Sequence, residues 1–163
     1  MYLKFKSHWD IDFLAQSLIL FINTSFCLGK YDESYKWLNF LEREIPQTYV
    51  LPYQNMGKIA HLLIHNSLGN DKMVQNMLES TRIRLYRKFS FFSVANTFLK
   101  YFKRKVKCKT DDAQKKLLIQ YKEQMQVVSQ KKEQKGFFIL FNFVDWFDAE
   151  IQNCSIVDLN TKF

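Results

Sequence analysis

Only six of the 163 positions carry glycine or proline: Gly29, Gly57, Gly69, Gly136, Pro46 and Pro52. A sandwich or barrel needs a turn signal roughly every 8–12 residues, so this scarcity removes the many-stranded β folds. Between the breakers the pattern is helical. From Ile11 the apolar positions Ile11, Leu14, Ala15, Leu18 and Ile22 recur at steps of three and four until Cys27-Leu28-Gly29 closes the stretch. A second helix opens at Tyr31-Asp32-Glu33, carries Ser34, Trp37, Leu38 and Leu41 on one face, and stops at Pro46. The third is expected from about Tyr53 to Leu68, between Pro52 and Gly69. The fourth starts at Asn70-Asp71 and carries Val74, Met77, Leu78 and Thr81. After a break near Lys88–Ser90, a fifth carries Ala95, Leu99, Phe102 and Val106 on one stripe. Thr110 with Asp111 and Asp112 is an N-cap and acidic first turn for the sixth. Gly136 separates it from a seventh, Phe137 to Ile151, and residues 153–163 read as a tail.

The expectation is an all-α domain of about seven helices, stacked as antiparallel hairpins. The hairpins cover 10–46, 53–88 and 90–131, with a capping helix over 136–152. Sixteen Phe, eight Tyr and three Trp supply an aromatic core. With 47% hydrophobic and 25% charged residues, the composition is that of a globular chain. The longest apolar runs, Leu18–Ile22 and Phe137–Phe141, are far short of the ~20 residues a spanning helix needs. No apolar stretch of signal-peptide length opens the chain, and Cys27, Cys108 and Cys154 are odd in number and widely spaced. A soluble chain with reduced thiols in a cytoplasm is expected.

The first two hairpins repeat. Aligning Gly29 on Gly69 places Leu38 on Leu78, a spacing of 40 residues, as in stacked helical units that bury their faces against neighbours. Over residues 15–48 the chain resembles a tetratricopeptide repeat, on Gly29, Tyr31, Ser34, Leu38, Leu41 and Pro46. It departs from that pattern at Ile22 and Ser25, where the motif has a small residue and a tyrosine. The second unit keeps Gly69, Val74 and Leu78 without a closing proline. From about Tyr53 to Gln152 the chain is similar to the C-terminal part of large bacterial tetratricopeptide-like proteins. The likeness lies in Leu78–Arg82, Leu85–Lys88, Phe98–Phe102, Phe141–Trp146 and Ile151. It implies a helical-repeat scaffold and nothing catalytic. It also implies groove-lining positions at Gln16, Ile19, Asn23, Phe26 and Cys27, then at Met56, Ile59, Leu63, Asn66 and Ser67. That lining is uncharged, so a hydrophobic or amphipathic segment is the expected groove ligand.

Charge gives the second candidate surface. No acid occurs between Glu79 and Asp111, while Arg82, Arg84, Arg87, Lys88, Lys100, Lys103, Arg104, Lys105, Lys107 and Lys109 all do. Those ten cations exceed the net charge of +8, so the basicity is local. Lys100, Lys103, Arg104 and Lys107 fall on one helical face, opposite Ala95, Leu99, Phe102 and Val106. A protein partner, with an acidic surface where the basic face is used, is the expected ligand. Nucleic acid is the weaker alternative, with Tyr86, Phe91 and Tyr101 offered for stacking. A structural subunit is the third reading, since an unpaired last helix suits a piece of a longer array.

Enzymatic signatures are missing. His61 and His65 stand one turn apart, but Leu62 replaces the catalytic glutamate and His8 is the only other histidine, so neither metal nor cofactor is expected. Cys108 between Lys107 and Lys109 reads as an exposed thiol, and the four glycines form no phosphate loop. Asp145, Asp148 and Glu150 read as the solvated side of the capping helix, on a polar stripe of Asn142, Asp145, Ala149 and Gln152.

Overall fold

A computed structural model describes residues 10–45, 51–85 and 92–161; within these, the side chains of 51–55, 79–85, 92 and 160 are not described. The fold is all-α. Nine helices occur among the described residues: α1 (Ile11–Cys27), α2 (Tyr31–Glu44), α3 (Leu51–Ser67), α4 (Asp71–Leu85), α5 (Phe92–Lys105), α6 (Asp111–Ser129), α7 (Lys135–Leu140), α8 (Phe143–Gln152) and α9 (Ile156–Thr161). Each of α1 to α5 packs against the next in the chain, α1 also touches α3, and α8 packs on α6. No helix among the described residues is long and apolar enough to cross a membrane.

Two turns 40 residues apart share one backbone geometry. Gly29 and Gly69 both have left-handed φ values, +71° and +70°. After α1, Gly29 N–H donates to Phe26 C=O and Lys30 N–H to Ser25 C=O. After α3, Gly69 N–H donates to Asn66 C=O and Asn70 N–H to His65 C=O. Both are Schellman closures, in which a left-handed residue lets two N–H groups satisfy the last helical carbonyls. Ser34, buried beyond the first turn, donates its hydroxyl to Ile22 C=O at 2.9 Å. Val74 takes the matching place after the second turn and is buried without a polar group.

The third hairpin closes differently. In register, Lys109 occupies the place of Gly29 and Gly69. Here Lys107 N–H donates to Arg104 C=O and Cys108 N–H to Lys105 C=O, so the elbow ends in tight turns. Thr110 then caps α6 by accepting from Ala113 N–H at 3.3 Å.

The end of the chain departs from the expected single capping helix. Gly136 lies inside α7, and Phe141 is extended with φ −153° and ψ 125°. Asn142 caps a fresh helix, its Oδ1 accepting from Val144 and Asp145 N–H at 3.1 and 3.4 Å. The expected tail contains α9. Ser155 accepts from Asp158 N–H at 3.1 Å, while the Asp158 carboxylate takes Ser155 N–H at 3.3 Å, a reciprocal capping box. Asn153, at φ 51°, turns α8 into it through a third Schellman closure.

An aromatic cluster fixes α8 against α5. Phe98 stacks on Phe147 at 5.5 Å between ring centres and meets Trp146 edge-on at 5.3 Å. Tyr101 meets the same two rings at 5.7 and 5.4 Å, and α6 adds Tyr121. Phe98, Tyr101, Phe143, Trp146 and Phe147 are all essentially inaccessible. Such offset and edge-on pairs add to the stabilisation from burying their area.

Candidate binding surfaces

The implied groove positions are occupied by the chain's own C-terminus. Ile19, Phe26, Met56, Ile59, Leu63 and Asn66 are buried, Asn23 is half-buried, and only Gln16 is exposed. Phe141 meets Phe26 at 5.7 Å, and Asn23 donates its amide to Leu140 C=O at 2.8 Å. What remains among Ile19, Phe26, Ile59, Leu63, Phe141 and Phe143 is a void of about 20 Å³, room for about one water. Apolar periodicity on α1 and α3 thus reports packing on α2, on α4 and on each other, with Phe141 and Phe143 covering the remaining face. A helical ligand would have to displace the aromatic cluster to enter.

Two of the three acids expected to solvate the last helix, Asp148 and Glu150, instead attach it. Lys122 of α6 donates to Asp148 at 2.6 Å, with both side chains about three-quarters buried. Asn66 of α3 donates to Glu150 at 3.2 Å and accepts from Lys105 of α5, so one amide joins three helices. Burial pushes the Glu150 carboxyl above its usual range, against the opposing pull of Lys105 and Asn66. Asp145 is raised too, by burial and then by Asp148. Of the expected polar stripe, Ala149 is buried and Asp145 half-buried.

The histidine pair sits at the α2–α3 contact. His61 Nε2 lies 3.0 Å from Glu42 Oε1, and the two imidazoles stack at 5.9 Å with Tyr35 edge-on to both. His65 faces Asn70 at 3.3 Å, and burial followed by the neighbouring His61 lowers its pKa. Glu42, in another helix, had no spacing to betray it. No group of three or more potential metal ligands occurs among the described residues.

Of the basic residues, Lys100, Lys103, Arg104 and Lys107 are exposed. Arg87 and Lys88 lie outside the described residues, as do the side chains of Arg82 and Arg84. On the opposite face Ala95 and Phe102 are buried and Leu99 half-buried, but Val106 is exposed because α5 has already ended. Tyr101 is core, not a stacking platform; Tyr86 and Phe91 lie outside the described residues. Lys105 differs from its neighbours, turned inward to Asn66. Among the described residues no ion pair involves Lys100, Lys103, Arg104 or Lys107.

Sequence reasoning missed the α6 side of this surface. Ala113, Lys116, Leu117 and Gln120 follow helical spacing and face the elbow across a cleft of about 400 Å³. Gln120 Oε1 accepts from Arg104 Nη1 at 3.2 Å, and Cys108 Sγ donates to Arg104 C=O at 3.5 Å. The three cysteines are free thiols, and burial raises that of Cys27. No protein-family profile matches this chain, and no curated protein or solved structure is significantly similar to it.

Proposed function

We propose that this chain is a non-enzymatic interaction scaffold of the tetratricopeptide-like kind, binding an acidic protein surface through the exposed cations of α5 and the α5–α6 elbow. The observation that carries this reading is a row of unpaired cations beside a filled groove. Lys100, Lys103, Arg104 and Lys107 reach solvent with no ion pair among the described residues, while Phe141 and Phe143 cover the apolar positions. Helix-dipole compensation accounts for cations in the last turn, where Lys103 and Arg104 stand. Lys100 precedes that turn and Lys107 follows the helix, so a second cause is needed for them. The paired Gly29 and Gly69 closures support the helical-repeat part, and the free thiols support a cytoplasmic setting.

The test is a variant carrying Lys100→Glu, Lys103→Glu, Arg104→Glu and Lys107→Glu. It should melt near the parent, since all four side chains are exposed. Partner recovery from native lysate should be lost with it, and parent binding should weaken with salt, since exposed charges are screened within ~8 Å. A folded variant that retrieves every partner refutes the reading. Recovery that vanishes on nuclease treatment transfers the face to nucleic acid, whose salt dependence is steeper because phosphates release counterions.

A further inference from the structure

The cleft at the α5–α6 elbow has a composition that the depression at the α3–α4 turn lacks. Arg104 and Lys107 come from the α5 side and Lys116 from α6, over a floor of Leu117. No acid lines it. Asp111 and Asp112, in the first turn of α6, make no ion pair with any of the three. The depression at the α3–α4 turn is of comparable size, about 570 Å³, but mixes Asp71 with Lys72. Gln120 holds the Arg104 guanidinium through one nitrogen, and the guanidinium keeps further N–H donors for a ligand.

Three cations converging on one open cleft repel one another, and an anion that spans them relieves this. A carboxylate brings one charge and two oxygens. A phosphate monoester brings about −1.5 to −2 charges at pH 7 and three acceptor oxygens, which matches one guanidinium and two ammonium groups. We infer that the α5–α6 cleft, walled by Arg104, Lys107 and Lys116 and ordered by Gln120, is a binding site for a phosphate monoester. The inference rests on the basic-face reading only for the source of that phosphate, a phosphorylated side chain of the acidic partner; a free phosphorylated small molecule shares the chemistry.

Three probes separate these at constant ionic strength set with chloride: inorganic phosphate, a phosphoserine peptide with acidic flanks, and its unphosphorylated form. Backbone amide resonances report each titration. Saturable shifts confined to residues 104–120 are expected with inorganic phosphate, and the same shifts extending to Lys100 and Lys103 with the phosphopeptide. Lys116→Gln, an exposed change, should weaken both by roughly tenfold or more, the scale of one charge-assisted contact. A phosphopeptide tighter than inorganic phosphate assigns the site to a protein partner, because its flanking acids reach Lys100 and Lys103. Equal affinity assigns it to a small molecule. Linear shifts spread over all lysines, an unphosphorylated peptide as tight as the phosphopeptide, or an indifferent Lys116→Gln each overturn the site. The double variant Lys100→Glu, Lys103→Glu keeps the cleft intact and tells the two readings apart. Partner recovery that survives it counts against the basic face alone, and lost phosphate saturation in the parent counts against the cleft alone.

Discussion

The α1–α2 turn and the α5–α6 elbow do the same topological job with different chemistry. The first is closed by a left-handed glycine whose hydrogen bonds recur 40 residues later around Gly69. The second, in register with both, has Lys109 there, no i to i−5 bond, and cations on both sides. What holds the hairpins differs by one addition. Consecutive helices pack directly in all three, but α5 and α6 are also bridged by α8, through Phe147 and Trp146 on one and Lys122–Asp148 on the other. The elbow therefore departs from the local turn rule that the other two share, and its hairpin carries an extra brace.

The brace is the strongest test of this contrast. Trp146→Ala removes a ring packed on Phe98 and Tyr101 with 1% exposure, and should cost ~3–5 kcal/mol. Amide exchange should then accelerate in α5, α6 and α8 well before α1 and α2. Uniform acceleration would mean that the hairpins are held as one.

The glycine turns come next. Alanine at Gly29 would meet only Ser155 Cβ at 3.7 Å, and at Gly69 nothing within 4 Å, so space is not the obstacle in either. The left-handed φ is, and each substitution should cost ~1–2 kcal/mol by chemical denaturation. Equal losses would show the two closures to be one device used twice; a loss at only one would break the repeat.

Those closures were legible because their cause is local. A glycine after an apolar stripe, with a polar opening beyond it, carries the Schellman geometry within six residues. The split between α7 and α8 was hidden because Asn142 caps a helix inside an otherwise apolar stretch, where periodicity alone sees continuation. The capping box of α9 was readable as Ser155 three residues before Asp158, a signal passed over in what looked like a tail. The filled groove was not readable at all. An apolar face on α1 has the same pattern whether Phe141 or a foreign peptide covers it, and Phe26 and Phe141 are more than a hundred residues apart. The basic face was legible from composition, yet its α6 wall needed the fold to bring Lys116 to Arg104.

A smaller effect is expected from the bridge at Asn66. Glu150 is raised by burial in the folded state, so folding favours its protonated form. Its contribution to stability is therefore fully present below the unfolded value near 4.5 and is lost as pH rises through the higher folded value. Glu150→Gln keeps an acceptor for Asn66 and removes the titration. Its melting midpoint should exceed the parent's at neutral pH, with the difference shrinking as pH falls toward 4.5. A difference that grows on acidification would mean that the attraction of Lys105 outweighs burial.

The smallest effect is the sharpest probe of the elbow. If the third hairpin were a glycine turn that has merely lost its glycine, Lys109→Gly would relieve strain and raise stability. The elbow has no such strain, because Asn153 is the only non-glycine residue with positive φ among the described residues. Val106, Lys107 and Cys108 already place their N–H groups on carbonyls three and four residues back. Glycine at 109 would then only widen the unfolded ensemble, at a cost of at most ~1 kcal/mol. Denaturant titration of the single variant decides between the two signs. A slight loss identifies the elbow as a distinct turn built around its cations, while a gain would restore it to the repeat and remove the reason for treating its cleft as special.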